Sequence, residues 1–258
     1  MALWILFALI VPEISPYSYS AINEKIQNQG SSMSHLFGTD KFGRDIFSRV
    51  WSAARISLTI GFASMAINGT IGIVYGSIAG YMGKAIDFLL MRIADILSSI
   101  PSLIYVILIT LAVGPGMKGI LIGICVAGWI DMARIVRGEV MRTKGQKYIL
   151  AAQMEGIGSF RILRKHLLRN IAGPIIVKLT FLVPQAVFTE AFLSFLGLGI
   201  APPAVSLGSM IQDTKSQIQL YPYQMLYPIL ILCILIFAVN LIGTGLEKKY
   251  GIGAREEV

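Results

Sequence analysis

ISLTIGFASMAINGTIGIVYGSIAGY, residues 56–81, holds no charged side chain anywhere along its length. A helix needs about 20 predominantly apolar residues to cross a hydrocarbon layer, so this run is long enough to span one. Within it Gly72, Gly76 and Gly80 recur at every fourth position. That spacing places them on one helix face, where the missing side chains let a second backbone approach closely. The stretch reads as a membrane helix packed through its glycine face rather than as a wall of a substrate route.

Working outward, further apolar runs lie at 96–113, at 119–130 with an extension into the cytosol, at 171–198 and at 225–246. Five spans are readable. Residues 1–12 are wholly apolar but too short to span alone, and they lack the basic leader of a secretory signal. We read them as the end of a first helix whose start is missing; the alternative is the apolar region of a signal peptide. Overall, 55% of residues are hydrophobic and 14% charged, against about 25% charged in an ordinary soluble domain. No linker, low-complexity tract or solenoid repeat divides the chain. One all-α integral membrane domain, residues 1–258, is expected.

The net charge of +8 is concentrated, not spread. Arg134, Arg137, Arg142, Lys144, Lys147, Arg161, Arg164, Lys165, Arg169 and Lys178 fall in one stretch that holds only Glu139 and Glu155 as acids. Basic residues near span ends mark the side that is not translocated, so this loop is cytoplasmic and nucleic acid is not implied. Counting spans outward puts 12–55, 114–118 and 199–224 outside, and 82–87 and the tail from Glu247 inside. The outer segment 12–55 has five basic residues, nearly balanced by Glu13, Glu24, Asp40 and Asp45.

Ionisable residues at membrane depth are costly and are weighed first as functional. Arg92 and Asp95 stand three apart and are expected to pair locally near the cytoplasmic end, as are Asp131 and Arg134. Lys178 can snorkel to the interface. Glu190 is deeper and without an evident neighbour in sequence, which leaves a helix-packing hydrogen bond and a place on the pathway both open. Pro101, Pro174, Pro184 and Pro228 each remove a backbone donor and can bend a span. Cys125 and Cys233 lie in apolar runs and imply neither disulfide nor metal. His35 and His166 fall on opposite sides of the membrane, so no metal ligand set forms. The chain has no nucleophile elbow and no phosphate-binding Gly-x-x-x-x-Gly-Lys-Ser/Thr loop. If ATP is used, a separate chain binds it.

The cytoplasmic segment, about 137–170, is far longer than the roughly 2–8 residues that join helices in bundles. It reads as two short helices, 146–154 and 159–168, around Gly156 and Gly158. Ser159 is expected to cap the second, with Phe160, Leu163 and Leu167 on its apolar face and Arg161, Arg164, Lys165 and Arg169 on a basic flank. A helix lying on anionic lipid and a docking surface for a soluble partner both fit this pattern.

Ala151, Ala152 and Gly156, with Leu168 twelve residues further, resemble the cytoplasmic signature of permease subunits of ATP-binding-cassette importers: Glu-Ala-Ala, three residues, Gly, nine residues, Ile-x-Leu-Pro. Leu150 replaces the Glu, His166 the Ile and Arg169 the Pro. Gly38-Thr39-Asp40 with Gly43-Arg44-Asp45, then Ala54 to Leu58, are similar to the dipeptide and oligopeptide branch. So are Glu190 to Gly199 with Pro202-Pro203 and Gly208-Ser209-Met210, where Leu207 stands in place of a usual Trp. The likeness runs from about residue 35 to 246 and is strongest to the C-type permease of that branch.

The resemblance implies a six-helix type I permease fold in the bacterial cytoplasmic membrane, with the first helix truncated. It further implies a paralogous B-type permease, two cytosolic ATPase subunits that bind ATP and Mg, and an extracytoplasmic substrate-binding protein as partners. This chain then holds no cofactor and is not an enzyme. Ala151, Ala152, Gln153, Met154, Gly156, Ile157, Gly158 and Ser159 are the expected ATPase-coupling residues, with Ala151 and Ala152 allowing close approach and Met154 and Ile157 giving apolar contact. Glu190 is the candidate for the pathway. The expected cargo is an oligopeptide or dipeptide; the alternative in the branch is nickel or a metal chelate. An ion-gradient transporter calls for inverted repeats or broken midplane helices, which the sequence does not display.

The orientation has a direct test. In otherwise thiol-protected cells, Lys118→Cys and Gln217→Cys are expected to react with an impermeant thiol reagent while Ser159→Cys does not. Labelling at position 159 in unbroken cells reverses the assignment of sides.

Overall fold

The computed structural model describes residues 2–250; Met1 and the part of the predicted inner tail beyond Tyr250 lie outside the described residues. The chain is helical, and the described residues form no strand, only an isolated bridge between Thr39 and Asp45. Its principal elements are α1 (Ala2–Ile14), α2 (Ile46–Met82), α3 (Lys84–Ser98), α4 (Ser102–Val113), α5 (Met117–Ala127) and α6 (Ile130–Lys144). After these come α7 (Lys147–Met154), α8 (Ser159–Arg161), α9 (Leu168–Asn170), α10 (Ala172–Phe195), α11 (Leu207–Thr214) and α12 (Tyr223–Tyr250). Helices α2, α10, α12 and the nearly continuous α5–α6 are each long and apolar enough to cross a membrane. Together α3 and α4 make a fifth candidate, bent by 75°. Helix α1 is apolar but shorter.

Helix α2 starts at Ile46, well before the charge-free run. Asp45 is its N-cap and accepts from the Ser48 amide at 2.8 Å, satisfying one of the open donors of the first turn. Ile46, Val50, Trp51, Ala53 and Ala54 are then buried against α1, α11 and α12, and Trp4 of α1 stacks on Trp51. Arg55, placed by sequence at the end of a loop, lies inside this helix and pairs with Glu13 at 2.6 Å.

The span expected at 96–113 is interrupted. Proline at 101 disfavours helical geometry at Ile100, and the hydroxyls of Ser98 and Ser99 donate back to the carbonyls of Asp95 and Ile96. Helix α3 therefore stops at Ser98, and α4 begins on a new axis. The bend that the sequence allowed at Pro101 is here a full break of 75°. The expected Arg92–Asp95 pair is also replaced: Asp95 accepts from Arg134 of α6 at 2.9 Å, across the helix interface. Arg134 approaches Asp131 only at 3.9 Å. Beside them Asp87 accepts from two of the three Arg137 guanidinium nitrogens, Nε and Nη2, the latter at 2.6 Å.

In the segment predicted to lie outside, the motif Gly38 to Asp45 is a fastening. Asp40 accepts from the amides of Phe42 and Arg44, each at 2.9 Å, and from Arg44 Nε at 2.6 Å. Gly43 has φ +68°, and a β-carbon there would fall on the backbone of Asn23. Gln224 of α12, itself buried, donates to the Thr39 carbonyl at 3.1 Å and so ties this outer segment to the bundle. The predicted outer stretch 199–224 is not a plain loop, since it holds α11, whose Ser206 and Ser209 form a reciprocal capping box.

The glycine face of α2 meets α6. A β-carbon at Gly72 would lie 2.6 Å from that of Met132, one at Gly80 would lie 2.8 Å from the Arg137 carbonyl oxygen, and one at Gly76 would fall on the Ala133 carbonyl. All three glycines are buried. Because backbone rather than side chain stands in the way at Gly76, no rotamer relieves the clash. Gly76→Leu is expected to abolish recovery of folded chain in detergent, while Gly138→Ala, which meets nothing within 4 Å, leaves it intact. Normal recovery of Gly76→Leu contradicts this packing.

Candidate functional site

The long segment expected to be cytosolic is built on the end of α6. After Gly145, helix α7 runs to Met154 and closes in a Schellman turn. The Ile157 amide donates to the Ala152 carbonyl at 3.1 Å, and the Gly156 amide to that of Gln153 at 3.0 Å. Gly156 sits at φ +75°, a left-handed conformation in which glycine bears no β-carbon penalty. The turn is sealed by contact between the residues it brings together, since Ala152 and Ile157 both join one apolar cluster. That cluster takes Met132, Val136 and Val140 from α6 and Ile149 from α7. Asn170 adds a hydrogen bond to the Tyr148 hydroxyl at 2.6 Å.

The second helix differs from the expectation. Gly158, not Ser159, is its N-cap, and no side chain caps it. After α8 the backbone widens into a π turn, Ile162–Leu167, where Leu168 donates to Leu163. Widening shifts the inward face: Ile162, Leu167 and Ile171 are buried, while Phe160 is 75% exposed. Leu163 only flanks the cluster. The expected apolar face of Phe160, Leu163 and Leu167 assumed a regular α repeat, which the π turn removes.

Of the eight coupling candidates, Ala152 is buried and Ile157 half-buried; both hold the turn to its own chain. Ala151, Gln153, Met154, Gly156, Gly158 and Ser159 are exposed. Met154 projects furthest, at 90% exposure, and Leu150 beside it is 47% exposed. Phe160 joins Arg161, Arg164, Lys165 and Arg169 around an open recess of about 460 Å³. The result is a stationary inner face and an apolar outer face with a basic rim. Phe160 and Leu150 are also exposed apolar side chains of this segment but lie outside the eight candidates. Leu150, standing where the family pattern has Glu, already suggested a contact that leans on burial, whereas the exposure of Phe160 becomes readable only once the turn geometry is known.

Glu190 is wholly buried in α10. Its Oε2 accepts from Ser57 of α2 and its Oε1 from Ser194, each at 2.7 Å, and Ser206 at the start of α11 donates to Ser194 at 3.2 Å. It therefore helps to join three helices. Ser194, four residues on, is the neighbour in sequence that the reading overlooked.

Comparison with known proteins gives one consistent answer. Residues 72–251 match the family described as binding-protein-dependent transport system inner membrane component. The chain is 45% identical to the oligopeptide transport system permease protein OppC of Bacillus subtilis, covering 96% of this chain and 81% of that one. It is 44% identical to the dipeptide transport system permease protein DppC of the same organism, covering 93% and 75%. In fold it is similar to a chain of the inward-facing MetNI methionine ABC transporter, with a TM-score of 0.64 at 19% identity over 78% of this chain and 96% of that one.

Proposed function

Because this chain belongs to the family of binding-protein-dependent transport system inner membrane components and is a multi-pass permease subunit of an ABC importer, we propose that it forms half of a membrane pathway for oligopeptides or dipeptides. The names of the relatives at 45% and 44% identity support that cargo. An importer of this kind works with a second permease, an ATPase and a substrate-binding protein. In our reading the second permease is a paralogous B-type chain, two cytosolic ATPase subunits bind ATP and Mg, and the binding protein delivers cargo at the outer mouth.

The observation that carries the coupling role is the two-faced loop. Ala152 and Ile157 are fixed in a cluster with Met132, Val136 and Val140 of α6, so a push on the outer face is delivered to a membrane helix, not absorbed locally. Leu150, Met154 and Phe160 are free to enter a groove on an ATPase, each buried aliphatic side chain contributing roughly 1.5–3 kcal/mol. Leu150, where the family pattern has Glu, makes that contact depend more on burial than on charge. ATP binding would then close the ATPase pair and tilt the permease helices toward the outward-open state, and hydrolysis would return them.

Two changes test this reading. Gly156→Val meets no neighbour at its β-carbon but cannot hold φ +75° without strain of about 1–2 kcal/mol, so the complex is expected to assemble while substrate-stimulated ATP hydrolysis and uptake fall about five- to thirtyfold. Gln153→Cys is expected to crosslink to the ATPase and not to the binding protein. Normal transport by Gly156→Val together with no ATPase crosslink at position 153 would return the loop to a helix lying on lipid.

A further inference from the structure

At the middle of the bundle, away from the loop, a cavity of about 40 Å³ lies between α2, α4, α5 and α10. Ser64, Asn68, Ser102, Gln185 and Thr189 line it, with Gly128 beside them. On the scale of about 10–15 Å³ per water it has room for a few water-sized groups. Its polar side chains are all neutral, and each offers both a donor and an acceptor. Asn68 is 2% exposed, donates from Nδ2 to Ser64 Oγ at 3.0 Å, and leaves Oδ1 with no partner among the described residues. Turning the amide over exchanges which atom meets Ser64, but one end stays free in either orientation. A β-carbon at Gly128 would come within 2.7 Å of Nδ2, so the glycine makes the space in which the amide sits.

The cavity is not sealed from the outer face of the subunit. Gln185 is exposed on α10 in one stripe with Phe188 and Phe192. An amide facing hydrocarbon at that depth is costly, whereas one facing a polar route is solvated. Ser102 stands at the start of α4, directly after the break at Pro101, so a change in the angle between α3 and α4 moves one wall of the cavity.

We propose that Asn68, with Gln185 and Ser102, forms a subsite of the pathway that takes one peptide group of the passing cargo. This rests on the peptide reading above. A peptide group is neutral, carries one donor and one acceptor, and is the same in every cargo whatever its side chains. The free end of Asn68 bonds it, Gln185 meets it from the exposed side, and Ser102 leaves or joins as α4 moves. Such a site holds cargo without reading its sequence.

The test uses the full importer in proteoliposomes: both permeases, the ATPase subunits, and binding protein supplied saturated with either tri-alanine or tri-alanine N-methylated at both of its peptide bonds. Wild type is expected to import tri-alanine faster than the methylated form. Asn68→Leu and Gln185→Leu, recovered as assembled complexes, are expected to slow tri-alanine by about tenfold and to erase the difference between the two cargoes, which a merely structural defect would not do. If Asn68→Leu fails to assemble, Gln185→Leu decides alone. Assembled variants that keep the wild-type rate or the wild-type discrimination overturn the subsite and leave the peptide reading standing. A wild-type complex that imports neither cargo overturns the peptide reading, and this inference with it.

Discussion

The contact on which the rest of the structure depends is the approach of α2 to α6 along Gly72, Gly76 and Gly80. In a membrane there is no hydrophobic drive between helices, so association comes from close packing and from polar bonds across the interface. Here the backbone of α2 lies against the carbonyls of Ala133 and Arg137, with the ion pair of Asp87 and Arg137 at the end of the contact nearest α3. Any side chain on the stripe would hold the helices apart. With them in contact, α6 emerges from the membrane in a fixed direction, and the loop that follows is aimed as well as attached.

That aim gives the loop its division of labour. The Schellman turn at Gly156 folds Ala152 and Ile157 back onto α6, and the π turn that follows commits Ile162 and Leu167 to the same cluster. What remains outward is a small apolar face of Leu150, Met154 and Phe160 with basic residues around it. In the coupling we propose, force applied there would pass by a short, packed route into α6, through the glycine contact into α2, and on to α10 by way of Ser57 and Glu190. The buried Glu190 carboxyl, with two hydroxyl donors, fastens these helices together.

Much of this was legible in the sequence where one residue type dictates one geometry. Glycines at intervals of four specified a face, and Gly156 specified a left-handed turn. The membrane class followed from the length of the charge-free runs. What was not legible depends on tertiary context. Proline at 101 permitted either a kink or a full break; the Leu97 carbonyl that it frees is taken by the Tyr105 hydroxyl of α4, and the serines before it bond back to the last turn of α3. Asp95 had a partner at helical spacing in Arg92 but found Arg134 across an interface. Phe160 followed the α repeat on paper and lost its place to a π turn. Glu190 looked solitary because a serine one turn on was not counted as a partner, and because Ser57 meets it only in the folded chain. Asp45 was quoted as part of a motif, yet its physical role is to start α2 a full two turns and more before the apolar run begins.

The central claim is that cargo movement through this permease is driven by ATP hydrolysis delivered at its cytosolic loop. Uptake of tri-alanine measured in proteoliposomes of the complete complex, once with internal ATP and no ion gradient and once with a proton or sodium gradient and no ATP, tests it most directly. The account predicts accumulation in the first condition and none in the second. Accumulation driven by the gradient without ATP would contradict it.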